Sequence, residues 1–441
     1  MPKSPDQLIP IFSSPVDMNE STDQAMLDGI KRQFPIETGK YRLDVKDLYV
    51  DKKDFSHKHE KEAILKSGSL TYPVKGTLLL YDIATGELVD KIERFSLADT
   101  FHLTNKHTLI YKGNNYSVAN LIQLRPGVYT RRKNTGEPEN HFNTGVGVGY
   151  SIAMDPTTYI ITFSKIGDKA VKLPVAPVLT EVFGYTDAQI TQFIRKEIWE
   201  ANKAVLPQKD RIIRDLYRRM MNQRDMNPNA SYEERIEALR RRIQEGSLNE
   251  DTTGITLGKS FSHVNGEVFL RAISNLVALY RRERPEDNRD SLQFKRVQNL
   301  PDFIARRFDE NKAHQTVTRS FDRIKYNLSR LDDSAPDLRK VLPSKPFNRV
   351  FEDFIIKSQL ASTPDETNPI ESLENVGKVT IIGQGEGGIK DDQSAPMESR
   401  NVHPSHLGII DPSRTPESRM AGLDQRFTIT ARRDKEGTMY S

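Results

Sequence analysis

The hydrophobic pattern of this chain changes period near residue 186, and that change bounds what it can fold into. Upstream, short apolar runs alternate with turn signals. Thr77-Leu78-Leu79-Leu80-Tyr81 and Glu87-Leu88-Val89 flank Ala84-Thr85-Gly86. His107-Thr108-Leu109-Ile110-Tyr111 and Tyr116-Ser117-Val118 flank Lys112-Gly113-Asn114-Asn115. Both patterns predict hairpins. Gly145, Gly147 and Gly149 alternate with Val146 and Val148, and Tyr159 to Phe163 follow an Asp155-Pro156 turn, so strands are expected over 146–173. Downstream the period is helical: Ile190, Phe193, Ile194 and Ile198, then Ile236, Leu239 and Ile243, then Phe269, Ile273, Leu276 and Tyr280. Thr186 with Gln189 forms a capping box, and Pro301 suits the first turn of a helical stretch reaching Leu328. Strands followed by helices predict a multi-domain α+β chain with mixed strand-rich and helical modules.

The two ends read differently. A Pro- and Ser-rich lead precedes Ser21-Thr22-Asp23-Gln24, whose spacing predicts a helix start before Met26, Leu27, Ile30 and Phe34. A last short apolar helix is expected from Val350 to Leu360. Beyond it, some 80 residues rich in Gly, Pro, Ser and charge offer few elements of their own. Such a tail is either a disordered extension or a segment whose cover belongs to another chain. No internal repeat is visible.

Composition narrows the function classes. The 441 residues are enough for two to four structural units. Counted with Gly in place of Tyr, the apolar share is about 38%, below the usual ~45–50%, as expected where part of the surface meets a partner. Having no cysteine, the chain has no disulfide scaffold, thiol nucleophile or Cys-based metal site. No apolar run approaches a membrane span and the start lacks a signal-peptide core, so a soluble, intracellular protein is expected. The net charge of +4 is slight but uneven. Residues 211–330 carry 24 Lys and Arg against 17 Asp and Glu, whereas 358–441 carry 9 against 13. The mid-chain bias is compatible with phosphate-backbone contact or with a solvated helical surface.

No motif completes an active site. Gly383-Gln384-Gly385-Glu386-Gly387-Gly388 follows the apolar Val379-Thr380-Ile381-Ile382 and matches the dinucleotide fingerprint literally. The residues that follow lack a helical period, so a flexible glycine loop is expected instead of a pyrophosphate cradle. His403-Pro404-Ser405-His406 offers two imidazoles, with Glu398, Asp411 and Glu417 as the carboxylates near in sequence; local hydrogen bonds are the competing role. There is no D-x-D-x-D run to hold Mg2+, and no Walker, nucleophile-elbow or H-E-x-x-H motif. Arginine clusters at Arg218-Arg219, Arg240-Arg241-Arg242, Arg281-Arg282-Arg284 and Arg306-Arg307 could meet phosphates or the Glu and Asp of their own helices.

A resemblance ties these pieces together. Ser358-Gln359-Leu360, Asp365, Asn368-Pro369, the loop 383–388, Val402-His403-Pro404-Ser405-His406-Leu407-Gly408 and Thr415-Pro416-Glu417 stand in the order and spacing of one family. The chain resembles the β subunit of multisubunit DNA-directed RNA polymerase across its fork region and rifampicin pocket. Upstream, Leu124-Arg125-Pro126-Gly127-Val128-Tyr129, Lys172-Leu173-Pro174, Val182-Phe183-Gly184-Tyr185-Thr186, Tyr217-Arg218-Arg219-Met220 and Asp290-x-Leu292-x-x-x-Arg296-Val297 are similar to further family segments in register, over about residues 20–430.

The resemblance implies a protrusion (20–124 and 300–357), a lobe (125–299) and a fork (358–441) that packs on other subunits. It implies no catalytic residue in this chain. The nucleic-acid-binding candidates it implies are Gln359, Asp365, Asn368, Lys378, Gly383, Gly385, Gly387, Gly388, Lys390, Arg400, His403, His406, Pro416 and Glu417. The expected role is one side of the DNA cleft and the fork that separates strands and borders the RNA–DNA hybrid. The alternative is a non-catalytic nucleic-acid-binding or virion protein that keeps the scaffold. Mg2+ would be bound by a β′-type partner. The other expected partners are the C-terminal half of β, a promoter-specificity subunit, DNA and nascent RNA. Ending at Ser441, the chain looks like a split β fragment as in giant bacteriophages, with archaeal and organellar splits as alternatives; the implied location is the infected host's cytoplasm or the virion. Where the family carries a basic run after its Asn-Pro pair, this chain has Asn375-Val376-Gly377-Lys378, which predicts insensitivity to rifampicin. The family's Glu-Thr-Pro-Glu-Gly becomes Arg414-Thr415-Pro416-Glu417-Ser418.

Overall fold

Ser14 opens the first helix, ahead of the start expected at Ser21. The helix runs Pro15–Arg32, with Pro15 in its first turn and the Asp17 amide donating to Ser14 Oγ at 3.1 Å. Thr22 lies inside it and its hydroxyl donates back to the Met18 carbonyl at 2.7 Å, so the Ser21–Gln24 spacing is coincidental. In this computed structural model, residues 8–11, 13–133, 135–145, 148–165, 172–221, 226–308, 315–331, 336–364, 367–384 and 387–441 are described. The chain forms two units, one from residues 1–123 with 296–441, the other from 124–295. It is a multi-domain α+β protein.

In the first unit, an antiparallel sheet orders Ile36–Glu37, Tyr41–Val50, Thr71–Asp82 and Leu88–Phe101 as neighbours in sequence. The expected turn at 84–86 is there: Gly86 has φ of 71° and the Asp82 carboxylate accepts from the Ala84 amide at 2.7 Å. The second expected hairpin joins Leu109–Tyr111 to Asn114–Val118, its two central residues Lys112 and Gly113 at φ 48° and 79°. Two left-handed residues are what a tight hairpin turn demands, and glycine supplies one without strain. The stretch expected to be helical from Pro301 to Leu328 holds the helices Leu300–Arg307 and Gln315–Leu328. Asn299 and Asp302 form a capping box at the first of these. The last apolar helix is Arg349–Lys357, ending before Leu360. Met26, Ile30, Leu43, Leu80, Phe303, Phe308, Phe351 and Phe354 make the core, with the Phe101 and Phe351 rings 4.9 Å apart.

In the second unit, an antiparallel sheet runs in the order Leu173–Pro174, Ile161–Lys165, Tyr150–Met154, Pro138–Asn143, Gly127–Arg132. One face packs on the helix Gly266–Tyr280, where Phe269 meets Phe142 at 5.3 Å and Tyr150 at 5.7 Å. Tyr159, expected in a strand, sits in the turn with φ of 59°, and its strand begins at Ile161. Val146 and Gly147 lie outside the described residues; Gly145 and Gly149 are not in strands. Thr186 and Gln189 cap the helix Asp187–Phe193 as expected. The single face expected to continue through Ile198 is instead two helices, because Ile194 turns extended and Lys196–Lys203 starts anew. Helices Lys209–Met220, Tyr232–Gln244 and Glu250–Leu257 complete the unit.

Candidate nucleic-acid interface

The tail beyond residue 358, expected to hold few elements, is built into the first unit. Its strand Lys378–Thr380 pairs parallel with Asn120–Leu124 (Val379 opposite Asn120) and antiparallel with Asp424–Phe427 (Lys378 opposite Arg426). Ile410–Asp411 extends that sheet on one side and Lys295–Gln298 on the other. Val379 and Thr380 are buried, and the Asn120 side-chain amide donates to the carbonyls of Lys378 at 3.0 Å and Val376 at 3.2 Å. Very short strands carry no readable period; they exist because partners distant in sequence satisfy their backbone.

The glycine loop follows directly. Gly383 N donates to Ile389 O at 2.9 Å, Gly388 N to Gly383 O at 3.0 Å and Ile389 N to Ile381 O at 2.9 Å. The loop thus closes on itself. A Cβ at Gly388 would sit 2.7 Å from Gly383 N and 2.9 Å from Ile381 O, and one at Gly387, whose φ is 85°, would run into the Gln123 amide. Gly383, Gly387 and Gly388 permit this close packing at the two ends of the loop, whose tip residues Gly385 and Glu386 lie outside the described residues. Among the described residues no α-helix follows the loop, only the short 3-10 turns Met397–Arg400 and Pro404–His406, so the dinucleotide reading fails.

Gln359 joins the loop, its Oε1 accepting from Gln384 N at 3.1 Å. Arg306 adjoins it as well, near Gly387, and donates to Gln298 Oε1 at 3.3 Å. Arg296 donates to Gln123 Oε1 at 3.1 Å. Gln123, Arg296 and Arg306 therefore stand with Gln359, Gly383, Gly387 and Gly388, although only the Arg306 cluster was visible as a candidate in sequence. Asp365 and Gly385 lie outside the described residues.

A second group surrounds a cavity of about 720 Å³ lined by Asp392, Met397, Arg400, Thr415, Gly422 and Gln425 among others. Arg400 donates to the carbonyls of Arg419 at 2.7 Å, Asp392 at 2.9 Å and Ala421 at 3.0 Å, so its guanidinium stitches backbone together. Thr415 Oγ1 donates to Asp424 O at 3.0 Å and accepts from Gly422 N at 2.7 Å. Lys378 pairs with Asp424 at 3.3 Å, and Arg414 pairs with Glu374. Pro416 is half-buried, while Asn368, Lys390 and Glu417 are exposed. Asn368 Oδ1 accepts from Ile370 N at 3.0 Å.

The two histidines form a local turn, Pro404–His406. His403 Nδ1 accepts from Ser405 N at 3.1 Å and lies 2.7 Å from its hydroxyl; His406 is buried. Among the described residues no group of three His, Asp or Glu could hold a metal. Asp411 and Asp391 are both held below the usual carboxylate range by a serine hydroxyl two or three residues on, Ser413 and Ser394.

The other arginine clusters are largely spent on structure. Arg241 pairs with Glu237 at 2.9 Å, Arg242 with Glu245 at 2.6 Å, Arg281 with Glu283 at 3.0 Å and Arg284 with Asp287 at 2.6 Å. Arg240 donates to Val182 O at 2.7 Å, and buried Arg307 lies over the Phe354 ring at 5.0 Å. Among the described residues no helix is long and apolar enough to cross a membrane.

Residues 362–432, which hold the strand Lys378–Thr380, the glycine loop and the cavity, match the model of RNA polymerase Rpb2, domain 3. Similarity extends beyond them. A DNA-directed RNA polymerase subunit beta of Bigelowiella natans is 24% identical over 370 residues, 79% of this chain and 32% of that protein. The subunit beta of Mesoplasma florum is 28% identical over 197 residues, 44% of this chain and 15% of its own length. That of Ehrlichia chaffeensis is 30% identical over 192 residues, 43% and 13% respectively. The chain thus spans a third or less of the curated relatives it matches. Over these segments the chain is similar to part of the β subunit of DNA-directed RNA polymerase.

Proposed function

We propose that the chain is a β-type component of a multisubunit DNA-directed RNA polymerase, forming one side of the DNA cleft and the fork that parts the strands beside the RNA–DNA hybrid. The observation that carries this reading is the Rpb2-type segment itself: its strand pairs with residues near 120, so a region matched to polymerase is continuous with the fold of the first unit. In this reading, residues 20–124 and 300–357 act as protrusion, 125–299 as lobe and 358–441 as fork. Arg296 and Arg306 beside the glycine loop offer cations to a phosphate backbone. Exposed Ile370, Met397, Val402, Leu407 and Ile429 supply an apolar surface for the rest of β and a β′-type subunit.

Nucleotide joining would proceed by two-metal phosphoryl transfer with the Mg2+ ions on the β′-type partner, while this chain's residues position nucleic acid. A promoter-specificity subunit completes the proposed assembly. Reconstitution tests it. The chain alone is expected to make no RNA, and activity should appear on adding polypeptides that carry the remaining β sequence and an Asp-triad subunit. Nucleic-acid binding without co-purification of such partners would favour a stand-alone scaffold protein. Deleting Gln384–Gly388 should impair strand opening more than binding to pre-melted template; equal loss on both would defeat the fork role. The assembled enzyme should resist rifampicin, because Asn375-Val376-Gly377 replaces cationic side chains.

A further inference from the structure

The helix Gln315–Leu328 has two unlike faces. Val317, Ile324 and Leu328 recur at steps of seven and four residues, and all three are buried in the core of the first unit with Leu338, Phe347 and Phe351. Arg319, Arg323 and Tyr326 stand at steps of four and three residues, and all three are exposed. At ~3.6 residues per turn this second set lies roughly half a turn from the first. Arg330, also exposed, follows in the turn that ends the helix, where its amide donates to Asn327 O at 3.1 Å.

The exposed face has a definite chemistry. Tyr326 keeps 54% of its surface in solvent, and the Arg330 guanidinium lies over its ring at 4.4 Å from the centroid, a cation–π contact that backs one side of the ring. Among the described residues no ion pair or side-chain hydrogen bond engages Arg323, and Asp322 beside it does not pair with it. Three guanidinium groups on one face against the single carboxylate of Asp322 suit a polyanion. The ring between them suits an unpaired base, because every base has a face to stack and the bases of a duplex are already stacked on one another. That combination favours single-stranded nucleic acid over a duplex, and over an acidic protein segment, which has no use for the ring.

We propose that this helix face binds single-stranded nucleic acid, with Tyr326 stacking on one base, Arg319 and Arg323 holding the flanking phosphates and Arg330 steadying the ring. It adds to the polymerase reading a contact outside residues 358–441 and does not rest on it, because the assay needs no partner subunit and no RNA synthesis. The full chain is titrated into a fluorescent oligothymidine of about 20 nucleotides and binding is followed by anisotropy. Y326A should weaken binding at least about fivefold, the loss of one base–aromatic stack, and Y326F should bind like the parent. On an oligomer of the same length made of abasic sites, Y326A and the parent should bind alike. R323Q should weaken binding of both oligomers and lower the slope of log affinity against log salt by about 0.7. Circular dichroism melting of Y326A should match the parent, because the ring lies outside the core; should Y326A fail to fold, Y326L gives the same reading. No binding of oligothymidine by the parent, unchanged binding by Y326A, or an equal Y326A loss on the abasic oligomer overturns the proposal. Tighter binding of polyglutamate than of oligothymidine, weakened by R323Q, would assign the face to an acidic protein and overturn it too.

Discussion

The aromatic core of residues 124–295 and the segment 358–441 are stabilised by different means. In the first, Phe142, Tyr150, Phe163, Phe183 and Phe269 stack within a sheet-on-helix sandwich, and Trp199 is buried beside them. In the second, short strands are tied by carbonyl contacts from Arg400, Thr415 and Asn120, and by glycines that let backbone approach backbone. Stability in the one comes from apolar volume, in the other from satisfied polar groups and tight turns. The two should therefore fail separately.

Trp199 is the only tryptophan in the chain, so its fluorescence reports on the aromatic unit. The largest effect expected is from F269A, which leaves a cavity among the four rings of Phe142, Tyr150, Phe163 and Phe183 and should cost about 3–5 kcal/mol in the tryptophan-detected denaturation. Next comes pH. His141 is pushed down from 6.5 to about 4, chiefly by burial and then by Arg289 and Arg131, against a smaller upward pull from Glu139. Its folded pKa lies below its unfolded value, so its contribution is intact above pH 6.5 and lost as pH falls towards 4, to a total of about 3 kcal/mol. The difference between the parent chain and H141Q across that window measures it.

G388A should cost about 2 kcal/mol by forcing backbone apart in the loop. It should accelerate amide exchange over 381–389 and leave the tryptophan transition in place; a shifted transition would break the distinction between the regions. The smallest effect is expected from S231A. Ser231 Oγ accepts from Glu234 N at 3.2 Å, and losing that cap should lower the tryptophan-detected stability by about 1 kcal/mol.

Legibility followed the same divide. The hairpin at Lys112-Gly113, the Thr186–Gln189 capping box and the helices around Leu239 and Ile273 were readable because turn residues and period are local signals. The true start at Ser14 was obscured by a second plausible cap, and the break at Ile194 by an apolar spacing that continues across it. The tail was unreadable as structure: a strand such as Lys378–Thr380 is specified by Asn120 and Asp424, not by its own neighbours. For the candidate interface, sequence named Gln359 and the glycines but could not connect them to Gln123 or Arg296.

Ile9–Pro10 pairs with Arg432–Arg433, and Ile11 N donates to Ala431 O at 3.3 Å. Residues 9–11 must therefore wait for 431–433 before their backbone is paired, whereas the described sheet Gly127–Pro174 pairs strands that are close together in sequence. Domains ordinarily fold in the order of their synthesis. Here the inserted unit can finish while the unit on either side of it in sequence is still open, and a nascent chain stalled before residue 424 would expose the strand near 120 with its neighbour Lys378–Thr380 lacking its other partner.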